Sequence, residues 1–449
     1  MSERLERTIF YLLIFTIPVQ ARVILHSWTR PFNQWTSAYL YGTDIFLVLL
    51  LIFWLARSLK INNGPISNFQ FPISSKFSIL KSSNLWLLSF LIISAISVFN
   101  SRIIGLSFYQ LLKLAEFIGF YFYLQHNFGK VFQFRTVLAV IIASGFFQSI
   151  IAIVQYAKQG SIGLRLLGES PLSVNTTGMA VFMADGEKYL RAYGTATHPN
   201  ILAAWLFVAI FAFYYWFLYY HTAQDRRFHD VPKLFIYPVL LFGFFFTFSR
   251  VIIGLWVLGV LATFVIVFLK REFRENKILK RKMFILFSVS VAAALLFSVI
   301  FWPQVNSRIH VSAQEEAVTQ RVFYNKIAGS TALSNPLLGV GIGQFVLNLM
   351  YKFKHLPSVA YQPVHNIYLL IVSETGFIGF GTLMLFIFYI FYNFIHHADF
   401  TKLRTVFFLI FALSFIVIGI FDHFLLTSQQ GSLAFWLVLA FITANGDKN

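Results

Sequence analysis

Two arginines stand beside apolar stretches in positions where an anion could bind. Arg191 comes shortly before Thr197 and Pro199, which predict the N-cap and the first turn of a long apolar helix. A helix N-terminus with an adjacent arginine favours anions. Arg250 separates two apolar stretches, where an arginine is costly unless it is paired or faces a wet cavity. We interpret both as candidate anion-binding residues, while a capped span with an interfacial arginine remains an alternative for Arg191.

A third arginine and a histidine lie in a long polar segment closer to the C-terminus. The stretch Arg321–Thr331 predicts a helix that is terminated by Ser334-Asn335-Pro336, and His365 stands at the head of a later apolar stretch. Histidine titrates near neutrality and could take a proton from a hydroxyl group, although a lone interfacial histidine is more often only hydrogen-bonded. Glu374 would lie roughly opposite His365 on a continuous helix, so we expect Glu374 to make a structural polar contact.

Other polar features have structural interpretations. The glycines in the segment 339–343 follow a proline turn instead of a strand, so they are not a dinucleotide fingerprint and predict a tight loop with close backbone approach. Lys113 and Glu116 are three residues apart and predict a neutralised pair on one helix face. The roles of Asp44 and Asp422 stay open.

The composition excludes a soluble enzyme, a disordered chain and a disulfide scaffold. The chain has 449 residues, of which 58% are hydrophobic and 12% charged, whereas a soluble domain has about 45–50% apolar and about 25% charged residues. Its 56 phenylalanines exceed what a globular core could bury. Because cysteine is absent, a thiol nucleophile, a disulfide and a Cys-ligated metal centre are excluded. The composition therefore predicts an all-α polytopic membrane protein.

Apolar runs of membrane-spanning length predict about twelve transmembrane helices. They lie near residues 8–25, 38–56, 84–99, 106–125, 136–157, 199–220, 233–249, 251–269, 283–302, 372–395, 404–421 and 431–444. The first run lacks a signal-peptidase-like site and is followed closely by another run, so we interpret it as a span.

The basic residues predict the orientation of these spans. If the N-terminus is cytoplasmic, the segments on that side contain most of the arginines and lysines, as the positive-inside rule expects. These residues are Arg4, Arg7, Arg57, Lys60, Lys76, Lys81, Lys130, Arg135, Arg226, Arg227, Lys233, the cluster within 270–282, Lys402, Arg404 and Lys448. An even number of spans returns the C-terminus to the cytoplasm. We attribute the net charge of +18 to this topology and to an anionic membrane surface, and expect no nucleic-acid binding.

Two connections are longer and more polar than the others, and both fall on the outer side. Long connections of this kind are often functional. They divide the chain into an N-terminal five-span bundle at 1–157, a first outer loop at 158–198, a central four-span bundle with the Ser-Arg site at 199–302, a large outer loop at 303–371 and a C-terminal three-span bundle at 372–449.

The order of the motifs resembles the O-antigen ligase/polymerase superfamily. The matching elements are Arg-x-x-Gly-x-x-x-His-Pro-Asn-x-Leu-Ala from Arg191, then Ser249-Arg250, Arg321, Pro-Leu-Leu-Gly-Val-Gly-Ile-Gly-Gln-Phe from Pro336, and His-Asn-x-Tyr-Leu with Glu-x-Gly-x-x-Gly from His365. The resemblance covers residues 190–440, and the first five spans match only in hydropathy.

This resemblance implies a metal-independent, inverting membrane glycosyltransferase without a cofactor. Such an enzyme takes a glycan from an undecaprenyl-pyrophosphate carrier at the outer face of the bacterial inner membrane and passes it to a lipid A–core or other glycan acceptor. By position, the implied catalytic residues are His365, Arg250 and Arg321. The implied substrate-binding residues are Arg191, His198, Asn200, Ser249, Asn366 and Tyr368. Arginine suits this chemistry because its planar fork binds phosphate oxygens bidentately and stays charged.

Three alternatives remain open. A repeat-unit polymerase of the same superfamily would pass the glycan to another repeat unit. A lipid-linked glycan transporter would show repeat symmetry and broken spans in both halves. A metal-dependent oligosaccharyl transferase would need carboxylates near its site, for which the outer loops offer Asp185 with Glu187, and Glu315-Glu316. Asp422 and the pair Gln429-Gln430 belong to the resemblance less securely.

Overall fold

The computed structural model describes residues 3–61, 82–219, 234–310 and 316–446. These residues are mainly helical. The helices are α1 (Glu3–Thr16), α2 (Gly42–Ile61), α3 (Ser82–Ser97), α4 (Ile104–Asn127), α5 (Phe134–Lys158), α6 (Pro199–Tyr219), α7 (Ile236–Phe245), α8 (Arg250–Leu269), α9 (Arg271–Arg274), α10 (Lys277–Ile300), α11 (Trp302–Ile309), α12 (Glu316–Ser334), α13 (Phe345–Lys352), α14 (Ile367–His397), α15 (Leu403–Phe421), α16 (Phe424–Thr427) and α17 (Gln429–Gly446).

Two short antiparallel hairpins accompany the helices, so the described chain is mostly rather than entirely helical. The first joins β1 (Arg22–Ser27) to β2 (Ser37–Tyr41), and the second joins β3 (Val181–Ala184) to β4 (Glu187–Leu190). Several residues named above lie outside the described residues: Lys76, Lys81, Arg226, Arg227, Lys233, Glu315 and Lys448.

Seven helices in the described part of the chain are long and apolar enough to cross a membrane. These segments are Ser83–Asn100, Phe134–Lys158, Pro199–Tyr219, Arg250–Leu269, Lys277–Ile300, Ile367–His397 and Leu403–Phe421. The helices α7 and α17 are apolar but shorter. The structure is therefore that of a multi-pass membrane protein, while the count of about twelve spans stays a prediction.

The N-terminal segment differs from the predicted spans 8–25 and 38–56. Helix α1 ends at Thr16 because Pro18 lacks a backbone N–H and disfavours a helical conformation in the residue before it. The chain then forms the hairpin β1–β2, and α2 begins only at Gly42. Hydropathy alone does not distinguish a short apolar strand from part of a helix, so the predicted bounds were wrong here.

Both segments predicted as outer loops contain regular structure. The large one carries α11, α12 and α13. Helix α12 confirms the helix expected over Arg321–Thr331 and extends beyond it at both ends, to Glu316 and to Ser334. The first one carries β3–β4, whose two-residue turn consists of Asp185 and Gly186 with φ of 49° and 80°. Two successive positive φ values are typical of a type I′ hairpin turn. The exposed Asp185 and Glu187 therefore owe their spacing to a hairpin, and the structure offers no separate reason to call them a metal site.

Charged groups tie three helices together inside the bundle. Lys113 of α4 forms ion pairs with Glu116 at 2.5 Å and with Asp44 of α2 at 2.7 Å. The Gln429 side chain at the start of α17 donates a hydrogen bond to Asp44 at 2.5 Å. This confirms the predicted pair of Lys113 with Glu116, and it gives Asp44 a partner, as an ionisable residue among apolar helices requires.

The glycine-rich segment packs against a break in α14. Within α14, Gly376 has φ 69° and ψ −178°, and the adjacent Phe377 N–H donates to the Pro336 carbonyl at 2.8 Å. Glu374 accepts hydrogen bonds from the Gly343 N–H at 2.9 Å and the Phe345 N–H at 3.1 Å. These contacts confirm both the tight loop with close backbone approach and the structural role expected for Glu374.

We expect Gly376→Ala to destabilise the protein by about 1–3 kcal/mol, because a Cβ there would lie 2.1 Å from the Leu337 carbonyl oxygen and the positive φ disfavours alanine. Gly381→Ala is the matched control, since a Cβ at Gly381 meets nothing within 4 Å on the same helix. Thermal unfolding in detergent should show a lowered midpoint for Gly376→Ala only. Equal midpoints for the two variants would contradict the close packing.

Candidate active site

A cavity of about 390 Å³ lies between the N-terminal hairpin and the ends of α6, α14 and α15. His198, which precedes α6, lines one wall together with His365, which precedes α14. Asp422 and His423, which follow α15, line the same wall. Four polar side chains from three distant parts of the sequence thus meet at one cavity, whose size is within the range of about 300–1,000 Å³ usual for small-molecule sites.

His365 is positioned by the cap of α14. The Asn366 side-chain oxygen accepts hydrogen bonds from the Tyr368 N–H at 2.9 Å and the Leu369 N–H at 3.0 Å, as an N-cap does. The cap determines where the helix starts and leaves His365 as the last residue before it. The Nδ1 of His365 lies 3.7 Å from Oδ1 of Asp422, and its ring centroid lies 4.9 Å from that of His423.

Asp422 is held by two further hydrogen bonds. Its Oδ1 accepts from the His423 N–H at 2.8 Å, and its Oδ2 accepts from the Asn200 side-chain amide at 2.7 Å. Burial by itself raises the pKa of Asp422, but His365, followed by His423 and His198, outweighs this and holds the pKa well below its usual range. The carboxylate is therefore charged at neutral pH and faces the imidazole of His365.

His198 caps α6 instead of the predicted Thr197. Its carbonyl accepts the Ile201 N–H at 3.0 Å, and its ring Nδ1 accepts the Asn200 N–H at 3.2 Å. Burial, followed by the charge of Arg191, lowers the pKa of His198 to about 3. The ring is neutral at physiological pH, and because Nδ1 accepts a hydrogen bond, its proton is assigned to Nε2.

Arg191 is buried and largely engaged with the protein itself. Its Nε donates to the Thr247 carbonyl and one terminal nitrogen donates to the Asn200 side-chain oxygen, both at 2.6 Å. Burial lowers the pKa of Arg191 to about 9, with the nearby charges of Arg308 and Arg250 acting in the same direction. Arg191 remains a cation at neutral pH, and through Asn200 it is connected to Asp422.

Arg250 is the first residue of α8, after a strained turn. The preceding Phe248 has φ of 45°, an uncommon value for a bulky residue, and Ser249 is buried at the N-cap position without a side-chain cap bond. The Phe248 ring packs 4.7 Å from the ring of Phe182 in β3. Backbone strain of this kind persists only where the surrounding packing holds it, and it is concentrated at functional sites.

Arg321 of α12 reaches the same region from the long segment 303–371. It is half-buried, and its positive charge contributes to lowering the pKa of His198. The neighbouring Tyr324 has its ring 6.3 Å from that of His365. Arg191, Arg250 and Arg321 thus all lie near the cavity wall that carries His198, although none of the three lines the cavity itself.

The structure gathers most of the predicted site residues and separates one of them. His365, His198, Asn200, Arg191, Ser249, Arg250 and Arg321 converge on one region as described above. Asn366 is occupied as a helix cap. Tyr368 faces away, since its hydroxyl donates to the Ile416 carbonyl at 3.0 Å and its ring lines a separate, small apolar pocket.

From the sequence, Asp422 belonged to the family resemblance only insecurely, and His423 was not identified as a site residue. The ring of His423 stands edge-on to Trp35 at 5.0 Å, and its Nδ1 lies 2.6 Å from the Thr427 hydroxyl. An Asp-His pair between two apolar spans was the signal that could have drawn attention to both. Among the described residues, His365, Asp422 and His423 form the group that could hold a metal ion, with ligand atoms within 4.8 Å of one another. Metal independence accordingly stays a prediction.

Comparison with known protein families matches one part of the chain. Residues 235–384 match the family model described as O-antigen ligase, and this stretch contains Arg250, Arg321 and His365. No curated protein sequence matches the chain. Arg191, Asn200 and Asp422, which surround those three residues, lie outside the matched stretch. The match at residues 235–384 supports the O-antigen ligase-like superfamily as the family of this multi-pass membrane protein.

Proposed function

We propose that this protein is a glycosyltransferase that moves a glycan from an undecaprenyl-pyrophosphate carrier to the hydroxyl group of a glycan acceptor. The observation that carries this proposal is the placement of His365 against the charged Asp422 in a cavity, with arginines from three separate segments nearby. Glycosyl transfer from a pyrophosphate needs a base for the acceptor hydroxyl and positive charge for the leaving group. The arrangement supplies both.

His365 is the proposed base. Of the two neutral tautomers of His365, the one with its proton on Nδ1 is favoured by Asp422 beside that nitrogen, which leaves the lone pair on Nε2 available to the acceptor hydroxyl. The acceptor oxygen bonds to the anomeric carbon, the bond from that carbon to the phosphate oxygen breaks, and the hydroxyl proton passes to Nε2. Attack opposite the leaving group inverts the anomeric centre. The gap of 3.7 Å is wider than a hydrogen bond, and catalytic contacts of this kind commonly tighten when substrate binds.

The arginines are proposed to neutralise the leaving pyrophosphate. Arg250 and Arg321, which both lie in the matched stretch 235–384, are the candidates for direct contact. Arg191 lies outside that stretch and donates hydrogen bonds to Thr247 and Asn200. We infer that Arg191 acts as a positioning residue, which links the Ser249-Arg250 turn to Asn200 and thereby to Asp422. Preorganised charges need no rearrangement as negative charge develops on the leaving group.

The proposed location is a bacterial inner membrane, with the cavity facing the outside and both termini in the cytoplasm. This orientation is supported by the basic residues of the segment 270–282, which would face the anionic inner leaflet at the end of α8 opposite Arg250. Because apolar helices border the site, the lipid tail of the donor would remain in contact with the bilayer.

A transfer assay with the purified protein tests this function and its metal independence together. The donor is a lipid-pyrophosphate oligosaccharide. The reaction is run with donor alone and with a lipid A–core acceptor, each in the presence and in the absence of EDTA. We expect a single shifted product that requires the acceptor, at a rate unaffected by EDTA. A ladder from donor alone identifies a repeat-unit polymerase instead.

Two other outcomes would contradict the proposal. Loss of transfer in EDTA that a divalent cation restores would mean that His365, Asp422 and His423 hold a metal ion. Movement of the donor across proteoliposome membranes without any product would mean a transporter.

A further inference from the structure

We propose that the cavity wall built by the N-terminal hairpin is a binding subsite for a sugar that bears a negative charge, and that Arg22 binds this charge. The inference rests on the proposed function, because it names a class of glycan for the same cavity. Hairpin β1–β2 lies outside the family match at 235–384, so the match assigns nothing to it.

The wall has the surface that a sugar ring requires. Trp35, Tyr39, Tyr41 and Tyr109 all line the cavity. Aromatic faces pack against the C–H face of a sugar, while phenol hydroxyls at their edges exchange hydrogen bonds with sugar hydroxyls. The Tyr109 hydroxyl donates to the Tyr39 carbonyl at 3.0 Å and accepts from the Tyr39 N–H at 3.1 Å, which anchors the hairpin to α4.

Arg22 lines the same wall, and its partners are all neutral. Its guanidinium carbon lies 4.1 Å from the ring centroid of Tyr39, and Nη1 donates to the Tyr41 hydroxyl at 3.3 Å. The side-chain amide of Gln20 is oriented so that its oxygen accepts hydrogen bonds from Nε of Arg22 at 3.1 Å and from Nη2 of Arg22 at 3.0 Å. Among the described residues, no carboxylate lies within ion-pair distance of Arg22. Two of its five N–H groups therefore remain available.

The other cation of this wall provides a contrast. Lys113 also lines the cavity, and its ammonium lies 5.6 Å from the ring centroid of Tyr41. It is neutralised by Asp44 and Glu116. Arg22 is half-buried with its guanidinium carbon over the Tyr39 ring and has no carboxylate partner among the described residues, so its charge can bind a ligand. Its planar fork matches a carboxylate or a phosphate ester.

The wall is structurally connected to the proposed base. The Asn33 side-chain amide donates to the Tyr361 carbonyl at 2.9 Å, four residues before His365. The ring of Trp35 contacts His423, whose ring contacts His365. Arg22 lines the cavity, whereas Arg191, Arg250 and Arg321 do not, so we assign its ligand to the glycan rather than to the pyrophosphate.

Calorimetric titration of the full-length protein in detergent tests the subsite. The probes are a uronic acid-containing tetrasaccharide, the same skeleton with a phosphate ester as its acid, its neutral methyl ester and inorganic pyrophosphate. We expect Arg22→Ala to weaken binding of the two acidic sugars by about tenfold to a hundredfold, as loss of a charge-assisted contact does, and Arg22→Lys to weaken it less. The acidic sugar that binds more tightly shows whether the charge is carried by a carboxylate or by a phosphate ester.

Arg102→Ala is the matched control, because Arg102 is exposed, packs on the ring of Tyr351 at 4.7 Å and does not line the cavity. It should bind all probes like the wild type. An equal loss for the methyl ester and the acidic sugars, or a loss confined to inorganic pyrophosphate, would overturn the assignment of Arg22. Absence of any acidic-sugar binding by the wild type would do the same. Failure of transfer with every donor, while the charge-specific loss persists, would refute the glycosyltransferase and leave the subsite standing.

Discussion

Replacing His365 with alanine is expected to lower turnover by about 10²–10⁴-fold, the usual contribution of a positioned general base. The side chain lies at the cavity, and its Nδ1 is 3.7 Å from Oδ1 of the charged Asp422. The loss should therefore appear in kcat at saturating donor and acceptor. The measurement is the rate of product formation from a labelled lipid-pyrophosphate oligosaccharide by purified protein in detergent.

His355→Ala is the control for this variant. His355 is exposed in the same long segment 303–371, ten residues before His365, so its removal tests the loss of a histidine without loss of the proposed base. Asp422→Asn should lower kcat with little change in KM, since the amide keeps the shape and loses the charge that orients the imidazole. A His365→Ala enzyme with nearly wild-type kcat would exclude His365 as the base.

Replacing Arg250 with alanine is expected to lower turnover by about 10²–10³-fold, as the loss of one preorganised donor to a developing charge typically does. Arg250 begins α8 after the strained Phe248, beside the buried Arg191, and apolar surroundings strengthen its interaction with phosphate. Arg250→Lys should recover only part of the loss, because an ammonium cannot form the bidentate contact. Single-turnover rates with the labelled donor separate this effect from product release.

The matched control is Arg271→Ala, because Arg271 is exposed just beyond the other end of α8. It should retain wild-type single-turnover rates. An Arg250→Lys enzyme as fast as the wild type would mean that a point charge suffices. An Arg250→Ala enzyme as fast as the wild type would remove Arg250 from the reaction.

The membrane class and the local motifs could be predicted from sequence because each depends on residues close together along the chain. Apolar runs of about twenty residues predict helices in lipid whatever their neighbours are. The pair Lys113 with Glu116 follows from helical periodicity, and the tight loop follows from closely spaced glycines. The motif order from Arg191 to His365 was sufficient to indicate the superfamily that the match at 235–384 supports.

Hydropathy predicted the wrong helix bounds where a helix-breaking proline and the pairing of two strands interrupted an apolar run. The predicted span 8–25 is interrupted after Thr16, since Pro18 ends the helix, and the next apolar residues pair with β2. The motif that contains Tyr368 likewise did not indicate in which direction its side chain points. The cap at Asn366 and the packing of α14 on α15 turn that side chain away from the cavity.

By itself, the sequence determined that this is a multi-pass helical membrane protein and which arginines and histidine are candidates for chemistry, because composition and helical periodicity are local properties. Only the tertiary structure decided that Asp422 faces His365, that Asn200 connects Asp422 to Arg191, and that the N-terminal hairpin lines the cavity. The contact of Arg191 with Asn200 spans nine positions of the chain, whereas the contacts of Asp422 with His365 and with Asn200 span 57 and 222. Their geometry depends on how α6, α14 and α15 pack, which no local pattern specifies.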